Sequence, residues 1–176
     1  KAGGPSIDNG YYLQVCGNRA GICSPANWGA TYQIGDGHWS IKTLIGFADQ
    51  VFAGTPAGLF AGDQTGTFVN VLSTLGGQMH PDNSRDLTIF EDKVVAQHLA
   101  GVFGYQPATG QVEDMSPPRA DRSPLTGLIR TVRAHGRYLY GGLYTGSQTH
   151  LIAGLRTNNG RMAWHSLQKL PSVMKV

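Results

Sequence analysis

Hydrophobic and polar residues alternate with a period of two along most of the chain. In residues 40–73, short apolar runs are separated by turns at Ala48-Asp49, Pro56-Ala57-Gly58 and Gln64-Thr65-Gly66. This alternation is typical of β-strands, and no segment carries the 3.6-residue stripe of an amphipathic helix. The segment therefore predicts four antiparallel strands joined by hairpins. They are expected at 40–47, 50–55, 59–63 and 67–73.

The same arrangement of strands and turns recurs later in the chain. VFAGTPAGLF, which begins at Val51, and VVAQHLAGVF, which begins at Val94, align without a gap, so that Gly58 and Gly101 lie 43 residues apart. A period of roughly 20 to 50 residues is typical of propellers and solenoids. A further copy, RYLYGGLYTGSQTHLIAGLRTNNGRMAWHSL, begins at Arg137. The strands predicted in these two copies are 86–91, 93–99, 102–107 and 111–115, then 128–135, 137–144, 149–156 and 162–167.

A looser copy opens the chain, where Ala20-Gly21-Ile22 matches Ala57-Gly58-Leu59. Four-stranded antiparallel units that recur at this spacing predict the blades of a β-propeller. We therefore predict an all-β protein in which about four blades form a single domain or propeller segment over 1–176. The units are expected at about 11–40, 41–75, 85–115 and 128–167.

The two ends of the array allow more than one form of closure. Four blades close into a ring if PSVMKV, residues 171–176, supplies a strand to the first unit. Otherwise the chain is a segment of a larger propeller, or a half that pairs with another copy. Because unpaired strand edges promote aggregation, some closure is expected.

Composition agrees with a turn-rich β protein. The chain has 176 residues, of which 25 are glycine and only 14% are charged, against about 25% in an average protein. Its length fits a single domain with a real core. No apolar run approaches the roughly 18 residues that a membrane span requires, so no membrane span is expected.

The formal charge of +3 is a mild basic excess, from 14 basic and 11 acidic residues. The densest basic stretch, Arg119 to Arg137, has no nucleic-acid-binding motif beside it, which favours a solvated face over a specific nucleic-acid partner. The cysteines Cys16 and Cys23 fit either a small hairpin disulfide or two free thiols. They therefore do not indicate whether the protein resides in an oxidising or a reducing compartment.

Candidate chemistry in the sequence is sparse. The six histidines show no metal-binding spacing, and no GxSxG, P-loop or GxGxxG motif occurs. Most carboxylates fall in turns or at strand ends, where aspartate bonds to the local backbone. We therefore predict no catalytic, cofactor-binding or metal-binding residues, no cofactor and no enzymatic activity.

Binding residues are expected in loops, because propellers present their loops to ligands. Trp28 lies in the loop SPANWG, and four charged residues lie in the segments between units. The candidate binding residues are Trp28, Asp82, Arg119, Asp121 and Arg122. Trp39, Phe68 and Trp164 occupy matching places in successive units, which favours core packing for these three rings.

Two stretches resemble known propeller families. YQPATGQV and LRTNNGRMAWHSL resemble quinoprotein-type propeller repeats. The enzymes of that class need about eight blades and a cofactor pocket, which 176 residues cannot hold. RYLYGGLYTGSQTHLIAGLR followed by MAWHSLQKLP resembles blade repeats of bacteriophage tail and other virion proteins. This second resemblance covers about the last fifty residues and implies a structural role in a virus particle.

The expected function is a non-enzymatic propeller module for structural assembly or for attachment to a surface receptor, located in a virion or outside the cell. The alternative location is the cytoplasm. Expected partners are other copies of the chain, other structural proteins, or a cell-surface glycan or receptor. A secreted carbohydrate-binding lectin and a fragment of a propeller enzyme are the alternative functions.

Overall fold

The chain folds almost entirely into antiparallel β-sheets. A computed structural model describes residues 12–16, 28–34, 41–55, 57–63, 66–75, 86–98, 101–117, 127–146 and 148–170. Within these residues the only helix is a 3₁₀ helix of three residues, Ser73–Leu75. The prediction of an all-β chain is confirmed.

The strands form four sheets in chain order. Sheet A pairs β1 (Tyr12–Cys16) with β2 (Trp28–Gln33). Sheet B contains β3 (Thr43–Phe47), β4 (Gln50–Thr55), β5 (Gly58–Gly62) and β6 (Phe68–Asn70). Sheet C contains β7 (Leu87–Phe90), β8 (Lys93–His98), β9 (Gly101–Gln106) and β10 (Gln111–Asp114). Sheet D contains β11 (Leu128–His135), β12 (Tyr138–Tyr144), β13 (Thr149–Arg156) and β14 (Met162–Leu170).

Sheets B, C and D confirm the predicted four-stranded antiparallel repeat, in which each strand pairs with the next along the chain. The first unit was also expected to contribute strands, and its described residues form the hairpin of sheet A. The remaining residues of that unit, and the closing strand expected at 171–176, lie outside the described residues.

Two strands, β6 and β14, end three residues away from the predicted places. β6 ends at Asn70 instead of residue 73, because the Asn70 side chain accepts a hydrogen bond from the Leu72 amide (3.1 Å) and donates one to the Ala57 carbonyl (3.2 Å). This local bonding turns the chain away from the sheet. β14 continues to Leu170, three residues beyond the prediction, where a bulge opposite Leu151 lets it pair as far as Thr149.

The repeated Ala-Gly dipeptide has a backbone explanation. Gly58 and Gly101 each begin the third strand of their sheet, and both have a φ of 149°. A side chain at either position would also overlap a polar side chain at the end of the fourth strand or just after it, Asn70 in sheet B and Ser116 in sheet C. Only glycine meets both constraints, which explains why the dipeptide recurs.

The sheets pack face to face in chain order. Ile34, after sheet A, lies in one apolar cluster with Ala53 and Phe60 of sheet B. The opposite face of sheet B packs on sheet C, and the far face of sheet C packs on sheet D. The buried members of the second cluster are Phe52, Leu59, Ala61, Leu72, Leu87, Val94, Ala96 and Phe103. Those of the third are Phe90, Val95, Val102, Met115, Ile129, Val132, Leu139, Leu143, Ile152 and Trp164.

Contacts between sheets converge on the first strands. β3 contacts β7, and β11 contacts β7, β8 and β9. On the opposite side, the fourth strand of sheet C and the start of the fourth strand of sheet D border an open groove. Sheets C and D are therefore closer together at their first strands than at their fourth strands.

Candidate functional site at the junction of sheets C and D

Arg156, the last residue of β13, joins sheet D to sheet C through two carboxylates. Its Nε donates to both carboxylate oxygens of Glu91 at 2.9 and 2.8 Å, from the turn between β7 and β8. Its Nη1 and Nη2 donate to the two oxygens of Glu113 on β10, at 2.7 and 3.2 Å. One planar guanidinium thus holds two separate elements of sheet C in fixed positions, which a lysine could not do.

The electrostatics of this cluster favour the charged forms. The hydrogen bonds from Arg156 to Glu113, and then to Glu91, raise the pKa of Arg156, although partial burial acts in the opposite direction. Lys93 lies 2.7 Å from Asp92 and 3.6 Å from Glu113. The hydrogen bond from Lys93 is the main reason that the pKa of Asp92 is lowered. Both pKa shifts favour the charged form of the group concerned, the guanidinium of Arg156 and the carboxylate of Asp92.

Glu91 has an unusual backbone conformation at this junction. Its φ is 56°, a value that is costly for residues other than glycine, asparagine and aspartate. Its carboxylate is held by the Arg156 guanidinium. The ion pair and the turn geometry therefore depend on each other, since the turn places the carboxylate where Arg156 reaches it.

An open groove of about 550 Å³ lies beside this cluster. It is bordered by Glu113, Asp114, Ser116, Pro117, Gly160, Arg161 and Met162. Asp114 accepts a hydrogen bond from the Ser116 amide at 2.9 Å, and Ser116 Oγ accepts one from the Val102 amide at 2.9 Å. Arg161 is exposed. The groove therefore offers hydrogen-bonding and charged contacts to a polar molecule, while its acidic and hydroxyl groups already serve the local structure.

A second polar contact joins the two sheets at their first strands. Arg133 Nη2 donates to Asp86 at 2.8 Å, and Arg133 Nη1 donates to the Leu87 carbonyl at 3.2 Å. Thr131 also bonds to the Asp86 carboxylate. Asp86 precedes β7 directly, so these bonds fix the start of sheet C against β11.

These ion pairs reflect an unequal division of charge between the sheets. Residues 86–117 contain five acidic residues and one lysine, a formal charge of −4. Residues 127–170 contain six basic residues and no acidic ones, a formal charge of +6. Attraction between the two sheets is therefore part of their association.

The side chains of the five candidate binding residues predicted from the sequence all lie outside what the structure describes. Trp28 begins β2, but its side chain lies outside what the structure describes. Asp82, Arg119, Asp121 and Arg122 lie outside the described residues. These five assignments therefore stay predictions.

The sequence interpretation missed the Arg156 cluster. Glu91, Glu113 and Arg156 are separated by up to 65 residues, so no local motif connects them. The available signal was the opposite charge of two successive repeat units. In the basic stretch ending at Arg137, Arg133 is 60% exposed, which agrees with the predicted solvated face, and it is also bonded to Asp86.

Trp164 and Phe68 lie where core packing was predicted. Trp164 is 6% exposed within the cluster between sheets C and D. Phe68 packs against the cluster around Ala53 and Phe60. Both rings cover a glycine on the preceding strand, Gly154 and Gly62 respectively. Trp39 lies outside the described residues.

The described residues offer neither a metal-binding cluster nor a membrane-spanning helix. In the described ranges, no three or more His, Cys, Asp or Glu side chains are grouped for metal binding. No helix among those residues is long and apolar enough to span a membrane. A comparison with models of protein families found no match, and a search of curated proteins found none either.

Proposed function

We propose that the chain is a non-enzymatic β-propeller module, with sheets A to D as its blades, that serves in structural assembly or in attachment to a surface receptor. The observation that carries this proposal is the convergence of inter-sheet contacts on β3, β7 and β11. In a propeller, the first strand of each blade lies near the axis and the blades spread outward. In a flat stack, neighbouring sheets keep a spacing of about 10 Å along their whole width.

The junction between sheets C and D supports a structural role for the module. Arg156 and Arg133 engage three carboxylates of the neighbouring sheet, and Trp164 bonds to the carbonyl of Met115. The side chains at this junction are used mainly for joining blades. Attachment or assembly would then use the outer surfaces of the module.

The resemblance to virion proteins directs the proposal toward a virus particle or another extracellular setting. The residues that carry it, from Arg137 onward, form most of sheet D. This sheet presents tyrosine and arginine side chains on its outer side, where Arg137 stacks on Tyr138 at 5.4 Å. Surfaces of this composition are common in protein recognition.

A carbohydrate-binding function is the second candidate, because the groove lies between neighbouring sheets, where a lectin of this kind would bind sugars. Trp164 is buried and hydrogen-bonded, so its ring is not available to stack on a sugar. A glycan array probed with the chain tests this candidate. Binding that free sugar competes away, and that Arg161→Ala removes, would favour it.

Light scattering combined with electron microscopy of the purified chain tests the main proposal. A ring-shaped particle, either a single chain or a small number of copies, is the expected result. An elongated particle without a central axis at every concentration would contradict the propeller arrangement.

A further inference from the structure

The turn between β13 and β14 contains the dipeptide Asn159-Gly160, and residues 158–161 are all exposed. Gly160 has a φ of 78°, and a Cβ built on it would meet nothing within 4 Å. An asparagine that precedes glycine is the one most open to deamidation, because no side chain hinders the backbone nitrogen that attacks the amide. The turn therefore holds the groups that a spontaneous modification needs.

The reaction needs no co-reactant other than water. The Gly160 nitrogen loses its proton to water and attacks Asn159 Cγ, the Cγ–Nδ2 bond breaks, and Nδ2 takes up a proton and leaves as ammonia. The product is a cyclic succinimide. Water then opens the ring at either carbonyl, which gives aspartate, or isoaspartate with the main chain running through Cβ and Cγ. During the attack, negative charge develops on Asn159 Oδ1.

Two hydrogen-bond donors already contact that oxygen. The Arg161 backbone N–H donates to Asn159 Oδ1 at 3.3 Å, and Thr157 Oγ1 lies 2.5 Å from the same atom. Donors placed at an oxygen on which charge develops stabilise the transition state. Thr157 Oγ1 also lies 2.8 Å from the Arg161 carbonyl, so its single hydrogen has two acceptors. As Oδ1 becomes negative, it becomes the stronger acceptor of the two.

One further bond acts against the reaction. The Gly160 N–H donates to the Thr157 carbonyl at 2.9 Å, so the attacking nitrogen is engaged while the turn is closed. The turn must open at this bond before the nitrogen reacts. Such opening costs little in an exposed turn, where water replaces the lost partner. The two bonds to Asn159 Oδ1 come from other groups, so opening at Gly160 does not require that they break.

The same turn is connected to the junction of sheets C and D. Arg156 Nη1 donates to the Gly160 carbonyl as well as to Glu113. Isoaspartate adds a carbon to the main chain between residue 159 and Gly160, which moves the Gly160 carbonyl relative to β13. Aspartate leaves the main chain unchanged. The isoaspartyl product, unlike the aspartyl product, should therefore release this bond of Arg156.

We propose that Asn159 is a site of spontaneous deamidation, assisted by the Thr157 hydroxyl and the Arg161 amide, and that its isoaspartyl product loosens the Arg156 contact between sheets C and D. The site is a property of the chain that does not depend on the proposed function. It makes the stability of the junction decrease with the age of the protein.

Mass spectrometry of aged protein tests the site. Trypsin cuts after Arg156 and Arg161 and releases residues 157–161 as one peptide, in which fragmentation distinguishes Asn159 from Asn158 and isoaspartate from aspartate. Folded chains and chains unfolded in guanidinium chloride are kept side by side slightly above neutral pH. We expect Asn159 in the folded chain to react at no less than about a tenth of its rate in the unfolded chain, and Asn158 to stay intact. A slower reaction at Asn159 would show that the turn prevents deamidation and would overturn the proposal.

Thr157→Val distinguishes assistance from protection. Valine has a similar shape but no hydroxyl, so we expect the rate at Asn159 in the folded chain to fall about three- to tenfold, the size of one hydrogen bond. Thr157→Ser retains the donor and should keep the rate within about twofold of the original. Circular dichroism confirms that both variants fold. A faster rate in Thr157→Val would show that the hydroxyl protects the turn, and an unchanged rate would show that it takes no part; either result overturns the proposed assistance.

The stability of the separated products tests the effect on the junction. Asn159→Asp is the matched control, because it carries the same new charge on an unaltered main chain. We expect the unfolding constant of the isoaspartyl chain to be at least about tenfold larger than that of Asn159→Asp. In the Arg156→Gln background this difference should largely disappear. Equal constants, or a difference that persists without Arg156, would overturn the proposed effect on the Arg156 contact.

Discussion

The indole N–H of Trp164 donates a hydrogen bond to the backbone carbonyl of Met115, 2.9 Å away and 49 residues earlier in the chain. Trp164 lies on β14, and Met115 follows β10, so the bond joins the fourth-strand regions of two neighbouring sheets. Both residues are almost fully buried, and both belong to the apolar cluster between the sheets. This contact anchors the two sheets on the side where they otherwise diverge.

Trp164→Phe tests that anchor. Phenylalanine retains most of the apolar area but leaves the buried Met115 carbonyl without this donor, so we expect a loss of about 1–3 kcal/mol in the free energy of unfolding. Urea denaturation followed by circular dichroism measures it. Leu167→Ala, at an exposed position of the same strand, should change stability by less than about 0.5 kcal/mol. Equal effects of the two substitutions would show that the bond contributes nothing specific.

Arg156→Gln should destabilise the junction of sheets C and D. The substitution leaves Glu91 and Glu113 without their shared cation, and we expect a loss of about 1–3 kcal/mol. Arg161→Gln is the matched control, because Arg161 is exposed and lies in the neighbouring turn. Thermal unfolding of both variants at two salt concentrations is the measurement. A stability of Arg156→Gln equal to that of the control would contradict a structural role for the cluster.

Gly58→Ala and Gly101→Ala should each cost more than about 1 kcal/mol, because both positions have a positive φ and lie against a polar side chain from the fourth-strand region. Gly46→Ala is the control, since a methyl group there meets nothing closer than a carbonyl oxygen at 4.0 Å. The free energy of unfolding is compared for the three variants. If Gly58→Ala and Gly101→Ala unfold like Gly46→Ala, the backbone explanation of the repeated dipeptide is wrong.

The pH dependence of stability should include a contribution from Asp92. The pKa of Asp92 in the folded protein is lowered, chiefly by the hydrogen bond from Lys93. The stabilisation is therefore present above the unfolded-state pKa of about 4 and is lost as the pH falls through the lower folded-state value. Because the side chain is 57% exposed, the effect should be below about 1 kcal/mol. Asp92→Asn should reduce the loss of stability below about pH 4 in acid unfolding experiments, and an unchanged acid profile would refute this assignment.

Much of the fold could be predicted from local sequence. β11 and β13 have the boundaries that alternation predicted, since tight turns at Gly136 and Asn159-Gly160 mark where each strand ends. The end of β6 could not be predicted in this way. It depends on Asn70 bonding to Ala57, a residue 13 positions earlier whose proximity arises only when the sheet forms.

The candidate site was far less predictable. Loop residues such as Trp28 and Asp121 were chosen because propeller loops commonly bind ligands, an argument about the fold class that says nothing about these particular side chains. Arg156 lies in a strand and finds its partners only when sheet D stacks on sheet C. Long-range charge pairing of this kind is visible in the sequence only as the opposite net charge of successive repeat units, and it produces no local motif.

The distances between sheets B and D test the propeller arrangement most directly. Spin labels introduced as non-natural residues at Leu44 and Leu128 report on first strands, and labels at Val69 and Leu167 report on fourth strands; all four positions are exposed. Pulsed electron paramagnetic resonance then measures each pair. First and fourth strands are about 14 Å apart within a sheet, so blades that spread from an axis should make the outer distance larger than the inner one by more than about 10 Å. Two distances equal within about 5 Å would describe a flat stack of sheets and would contradict the propeller.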